Sequence, residues 1–300
     1  MRMKQAVKIL FWLWVTVILA SAQTEAANPL TQNPLTLTLE PERITNGAPC
    51  LFRVSSSVRL KGLTATWQER RIFFDFDSRT RAWVGLAGVN LDTAAGYYPL
   101  ALEAVLADGT LLNSTYDVPV YGLRYPTDEL SVARQFTDPD KAMRIRIKAE
   151  GALKSRYFKT VTPQRWWRGS FTPPLNSIIT DIFGVQRMFN GEKQSVHQGL
   201  DFRAVTGTPV GAMNSGVVLL ARNFFYEGGM VVVDHGYGLL TLYFHLSALR
   251  VREGEAVQRG QVVGLSGATG RVTDAHLHVG VRWQSTYIDP AKLFQLSLPQ

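Results

Sequence analysis

Hydrophobic positions change their spacing several times along this 300-residue chain. Residues 9–20 form an apolar run that follows Arg2, Lys4 and Lys8 and ends at Ala20-Ser-Ala22. A positive start, about a dozen apolar residues and small residues at the A-x-A positions predict a secretory signal peptide over 1–22. The run is shorter than the ~20 residues that span a bilayer, so an uncleaved anchor is the lesser reading. No cysteine follows it closely, which argues against a lipid anchor, and no later apolar stretch is long enough to span. Residues 23–34, polar and broken by Pro29 and Pro34, read as a lead-in.

From residue 35 the apolar period becomes two. Runs at 35–39, 51–54, 63–67, 71–76, 82–89, 97–106 and 114–120 alternate, and Asn46-Gly47, Gly62, Asp92 and Asp108-Gly109 punctuate them. Short strands with a turn roughly every ten residues predict an antiparallel, Ig-like β-sandwich over 35–122. It contains no histidine, and Asp75 and Asp77, which share a strand face, read as solvated surface. Residues 125–168 are expected to connect. There Asp138-Pro139 offers an N-cap and a first-turn proline, and Ile145, Ala149, Ala152 and Leu153 keep helical spacing to about Tyr157. Met143, Ile145 and Ile147 also fit a strand, and Gly151 weakens the helix. Trp166 and Trp167 either stack on sugar rings or fill a seam between domains, packing being preferred. Over 169–296 short, glycine-rich antiparallel strands return, and 230–234 with 239–245 flank His235-Gly-Tyr-Gly238 as a hairpin. The fold class is therefore mainly β, with one helical connector.

Charge changes this picture only modestly. The net charge is +8, and loss of the signal segment with its three positives and no acid leaves +5. Such a chain is drawn to anionic wall polymers or lipids, or simply wears a solvated surface. No basic-aromatic nucleic-acid motif is present. Cys50 is the only cysteine, so no disulfide can form within the chain; it is either a buried, inert thiol or an exposed one.

The candidate chemistry lies between residues 183 and 290, where all five histidines fall: His197, His235, His245, His276 and His278. His276-Leu-His278 sits on an expected strand, whose alternation sends both imidazoles to one face. His197-Gln-Gly-Leu-Asp201 would place its end residues about 13 Å apart if extended, so sharing an ion needs a bend, cheapest at Gly199. Two imidazoles and one carboxylate drawn from these motifs would make a three-ligand zinc set with a fourth position left for water. Either motif alone fits unrelated polar residues, each bonded locally. His235 and Asp234, in the hairpin turn, read as turn residues bonded to nearby backbone.

The motifs carry a resemblance. Phe183-Gly184, His197-Gln-Gly-Leu-Asp201, Gly207-Thr-Pro-Val210, Gly228-Gly229, Tyr243-Phe-His245-Leu246, Gly267-Ala-Thr-Gly270, His276-Leu-His278 and Asp289-Pro290 resemble, in order, the catalytic domain of lysostaphin-type (LytM-like) zinc endopeptidases of bacterial peptidoglycan. The resemblance covers about the last 120 residues. It implies an antiparallel LytM-like domain, one Zn2+ per domain on His197, Asp201 and His278, and a peptidoglycan peptide substrate. It implies catalytic roles for His245 and His276 beside the zinc-activated water, without assigning base and oxyanion donor between them. Arg187 stands where relatives often carry arginine, to hold a substrate carboxylate or fix a loop. Asp274-Ala275 departs from the Gly-Pro usual before the H-x-H. The expected function is an exported (periplasmic or extracellular) zinc metalloendopeptidase cutting stems or cross-links. The alternatives are a catalytically silent activator or binding module for other wall hydrolases, and a general secreted protease.

Overall fold

The structure, a computed structural model, describes residues 33–130, 139–189 and 192–300. The expected signal peptide and Asp138 lie outside the described residues. Residues 34–300 form one compact unit. Among the described residues no helix is long and apolar enough to cross a membrane.

The alternating N-terminal runs become β1 (Leu35–Glu40), β2 (Ile44–Thr45), β3 (Pro49–Ser56), β4 (Leu60–Trp67), β5 (Arg70–Asp77), β6 (Ala82–Gly88), β7 (Gly96–Leu106) and β8 (Leu111–Tyr121). They pair in the order β1-β3-β6-β5-β4-β7-β8-β2, antiparallel except for β2 with β8. β5 pairs with both β4 and β6, so the two halves of the sandwich are hydrogen-bonded through it. Phe52, Val54 and Val84 from one half and Leu63, Leu100 and Leu102 from the other share one core, with Trp67 edge-on to Phe52. Cys50 is fully buried there, and its thiol is pushed well above its usual range by burial. It is the inert case.

The connector supplies more than a helix. β9 (Thr127–Leu130) is a strand that leaves the sandwich region to pair in parallel with a strand from the C-terminal part. α1 (Lys141–Tyr157) is capped by Asp140, whose side chain accepts from Met143 N–H at 2.8 Å. The cap is thus two residues later than the Asp138-Pro139 expectation. Asp140 can reach the third helical N–H, whereas Pro139 stays outside the helix and offers its carbonyl to Arg144. Leu153, Tyr157 and Phe158 pack on Leu220, Phe224, Met230, Val232, Leu240 and Leu242.

After α1 come β10 (Ile179–Asp181), β11 (Gln186–Phe189), β12 (Glu192–Val196), β13 (Gly199–Arg203), β14 (Pro209–Gly211), β15 (Gly216–Phe224), β16 (Gly228–Asp234), β17 (Leu239–Leu246), β18 (Ala248–Leu249), β19 (Ala256–Val257), β20 (Val262–Leu265), β21 (His276–Trp283), β22 (Thr286–Ile288) and the short α2 (Pro290–Leu293). The main sheet runs β10-β13-β21-β17-β16-β15-β19, with β22 on β21; smaller sheets are β12-β11-β9 and β14-β20-β18. β16 and β17 read as unbroken apolar runs because they are covered on both faces. Val231, Val233 and Tyr243 point into the main core, while Met230, Val232, Leu240 and Leu242 lie under α1.

The hairpin between β16 and β17 docks the two regions. Gly236, Tyr237 and Gly238 all have positive φ, which two glycines make cheap. Tyr237 then stacks on Phe73 with ring centroids 4.9 Å apart and donates to Asp75 at 3.1 Å. Arg165 pairs with the other Asp75 oxygen at 3.2 Å. Asp75 is therefore an interface group rather than solvated surface, whereas Asp77 caps its own turn at Arg79 and Thr80. Trp167 is buried, as the packing reading expected. Tyr125 is the other joint. Its hydroxyl donates to Asn46 O at 2.9 Å, and its ring occupies the space a Cβ on Gly184 would need.

Candidate active site

Each proposed ligand comes from the sheet or from the turn that enters it. Asp201 on β13 and His278 on β21 are cross-strand partners, so pairing alone places their side chains together. His197 lies just before β13. Its N–H donates to Val185 O and its carbonyl accepts from Gly184 N–H, both at 2.8 Å. Gly199 opens strand β13, and a Cβ there would lie 2.3 Å from Val279 O and 2.7 Å from His278 Nε2. Its hydrogen is what lets the His278 ring settle against β13. On the ring's other side Phe244 stacks at 5.0 Å.

The three donor atoms lie within 4.8 Å of one another. His278 Nδ1 is 2.8 Å and His197 Nε2 3.1 Å from Asp201 Oδ1, and the two nitrogens are 3.0 Å apart. His197 Nδ1 is 2.7 Å from Ile182 O. A carbonyl only accepts, so in the neutral ring Nδ1 holds the proton and Nε2 presents a lone pair. That lone pair faces a carboxylate oxygen and a second imidazole nitrogen in a buried place. Burial alone would raise the Asp201 carboxyl, but the adjoining His197 and His278 imidazoles outweigh it and hold the group well below the usual carboxylate range. His278 is itself lowered, by burial first, against the pull of Asp201. Ionised carboxylate and electron-rich nitrogens converging on one point suit a cation, and two imidazoles with one carboxylate suit zinc better than harder ions. The residues fit the metal.

Arg187 settles on the ligands: its guanidinium is 2.6 Å from Asp181 and 3.4 Å from Asp201 Oδ2. Asp181 Oδ2 is also 3.3 Å from His197 Nδ1. Arg187 and Asp181 thereby orient both Asp201 and His197, which favours the structural side of the two Arg187 readings. Asp181 carried no sequence signal, because it ends the three-residue strand β10, too short to show a pattern, and meets Arg187 only across the turn to β11.

Two more imidazoles face the same point. His276 shares the His278 face of β21, with Nε2 3.8 Å from Asp201 Oδ1 and Nδ1 2.8 Å from Asp274 O. His245, at the end of β17, has φ 62°, a left-handed backbone that is uncommon outside glycine. Its Nδ1 is 2.8 Å from Thr269 O, and its ring centroid is 4.9 Å from that of His276. Both rings thus give Nδ1–H to a carbonyl and leave Nε2 free to act. Burial first, then the neighbouring His278 and His276, push His245 down to about 3. The loop carrying Thr269 lies hard against Gly228, where a Cβ would sit 2.2 Å from Thr269 Oγ1. Thr269 fixes itself there by accepting from Gly229 N–H and donating to Leu246 O, each at 2.9 Å.

His235 is elsewhere. It is fully buried under the hairpin, with Nδ1 2.8 Å from Ser215 O and Nε2 2.8 Å from Thr241 Oγ1, which lies 3.0 Å from the Tyr243 hydroxyl. Burial pushes it down to about 4.

An antiparallel β domain here gathers a His-Asp-His donor set with two further imidazoles beside it. Residues 195–290 match the model of Peptidase family M23. Among its relatives, peptidoglycan DD-endopeptidase ShyA of Vibrio cholerae is 51% identical over 101 residues, 33% of this chain and 24% of that protein. Peptidoglycan DD-endopeptidase ShyB of the same organism is 38% identical over 96 residues, 32% and 22% of the two chains. The matched segment thus spans about a quarter of those relatives' length. A crystal structure of a Pseudomonas aeruginosa protein described as an M23 peptidase superposes with TM-score 0.63 at 25% identity, over 83% of this chain and 94% of that one. That likeness extends well upstream of the matched domain.

Proposed function

We propose that this protein is an exported zinc metalloendopeptidase that hydrolyses peptide bonds in the stems or cross-links of bacterial peptidoglycan. The observation that carries the reading is the convergence of His197, Asp201 and His278 on one point, with His245 and His276 facing it. The substrate class rests on the relatives whose names say peptidoglycan DD-endopeptidase. Export rests on the N-terminal targeting pattern and on where such a polymer is found.

His197 Nε2, Asp201 Oδ1 and His278 Nδ1 would hold the ion. Zinc bound there supplies Lewis acidity and makes water an available nucleophile near neutral pH. His245, with Nδ1–H committed to Thr269 O, presents Nε2 to the same point and can take a proton from the attacking water. His276, with Nδ1–H committed to Asp274 O, also presents Nε2, and in its protonated form donates to the developing oxyanion or the departing amine. Arg187 keeps Asp201 and Asp181 from drifting as charge changes at the centre. The nearby Ile178, Ile179 and Ile182 are exposed and offer an apolar wall to an extended peptide.

Digestion of defined muropeptides with a mass readout tests this, run beside casein and beside His278→Ala. The wild type is expected to open a peptide bond in the muropeptide and to leave casein intact. The variant should retain the fold but lose zinc and cleavage together. An active His278→Ala protein removes the ligand assignment, and cleavage of casein alone removes the substrate.

A further inference from the structure

One end of the N-terminal sandwich holds a cavity of about 560 Å3, walled by the β3–β4 connection and the β5–β6 turn. The apolar row Ile72, Phe74, Phe76 on β5 runs off the end of the core there. Ile72 and Phe74 are buried, whereas Phe76 is 54% exposed. Phe76 and its cross-strand partner Trp83 meet at 59° with centroids 5.7 Å apart, so their faces make a V-shaped cleft rather than a sealed stack. Arg59 and Arg81 line the same cavity, both exposed. Among the described residues neither side chain makes a hydrogen bond or ion pair. Asp77, at the end of β5 before the same turn, is occupied by Arg79 N–H and the Thr80 hydroxyl.

We propose that this cavity is a saccharide-binding subsite for a sugar ring that bears or adjoins a carboxylate. Aromatic faces in a recess take the flat C–H face of a pyranose, and few polar groups then fix its orientation. Two unpaired guanidiniums at the rim supply planar, bidentate recognition of a carboxylate. The loops at one end of a sandwich are a natural place for such a site, since the sheets hold them rigidly. The choice of an envelope amino sugar rests on the peptidoglycan reading, but the binding itself is independent of hydrolysis.

The test titrates the full-length wild-type protein, by calorimetry, with four probes. These are peptide-free strands of alternating N-acetylglucosamine and N-acetylmuramic acid, chitin hexasaccharide, a free stem tetrapeptide, and vesicles containing phosphatidylglycerol. A peptidase cannot cut the first probe, so binding and cleavage fail separately. The stripped strands should bind, and chitin, with like rings and no carboxylate, should bind about tenfold more weakly. Phe76→Ala and the double variant Arg59→Gln/Arg81→Asn should each weaken strand binding tenfold or more; Asn suits Arg81 because its φ is 55°. If the tetrapeptide binds and the strands do not, the carboxylate is recognised without the sugar and the proposal falls. It falls equally if strands do not bind, if both variants bind them as the wild type does, or if only vesicles bind.

Discussion

Lowering the pH should destabilise this protein through a histidine that has no part in the proposed chemistry. His235 is fully buried and its folded-state value is pushed from 6.5 down to about 4. A histidine lowered on folding is protonated more readily in the unfolded chain, so acid favours unfolding. Stability is whole above 6.5, is lost as pH falls through the window from 6.5 to about 4, and levels off below it. At ~1.4 kcal/mol per unit the loss is about 3 kcal/mol across that window, a large share of a typical domain's margin. Asp234 and Asp289 are raised by burial and act in the opposite sense, gaining stability as pH falls. The assay must therefore isolate His235. Urea unfolding from pH 7.5 to 4, on chelator-treated protein so that metal release does not contribute, would compare wild type with His235→Asn. Asn can still donate to Ser215 O but cannot titrate. The variant should start less stable, and the gap should close by about 3 kcal/mol as pH falls. A gap constant with pH would refute the reasoning.

Gly199→Ala should cut zinc affinity by more than tenfold while circular dichroism stays native, because the added methyl meets Val279 O at 2.3 Å and displaces His278; unchanged affinity by metal-competition titration would contradict this. His245→Asn should keep one zinc per chain and lose at least ~100-fold in kcat on muropeptides, as expected when a proton-transfer group is removed; undiminished kcat would take His245 out of the chemistry. Tyr125→Ala should cost roughly 2–4 kcal/mol in urea unfolding, since its ring fills the joint beside Gly184 and Phe183. A cost under about 0.5 kcal/mol would mean that the joint carries no load.

Much of this was legible in the chain. Strand alternation is a strong signal where one face meets a core, and the sandwich runs follow it closely. The His-x-His pair was readable because a strand has period two, and Asp201 through its H-x-x-x-D spacing from His197; its cross-strand pairing with His278 emerges only in the fold. What escaped depended on partners distant in sequence. Thr127–Leu130 is too short and polar to announce a strand, and becomes one only because β11 offers an edge. Asp75 looks like any surface acid until Tyr237 and Arg165 reach it from the other region. The helix starts two residues later than Asp138-Pro139 suggests because the Asp140 side chain is the one that accepts from Met143 N–H. Gly199 was read as a hinge, and the demand on it turned out to be steric.

The parallel strand at Thr127–Leu130 bears on where a gene can be cut. A fragment beginning after α1 would keep all five histidines yet leave β11 without its parallel neighbour, and β11 carries Arg187, the clamp on Asp201. Family matching alone would tempt an engineer to start near residue 195, past the clamp altogether. The smallest fragment that keeps this site whole should instead begin upstream of Thr127. It would take the helix along as cover for Leu240 and Leu242, which would otherwise become sticky surface.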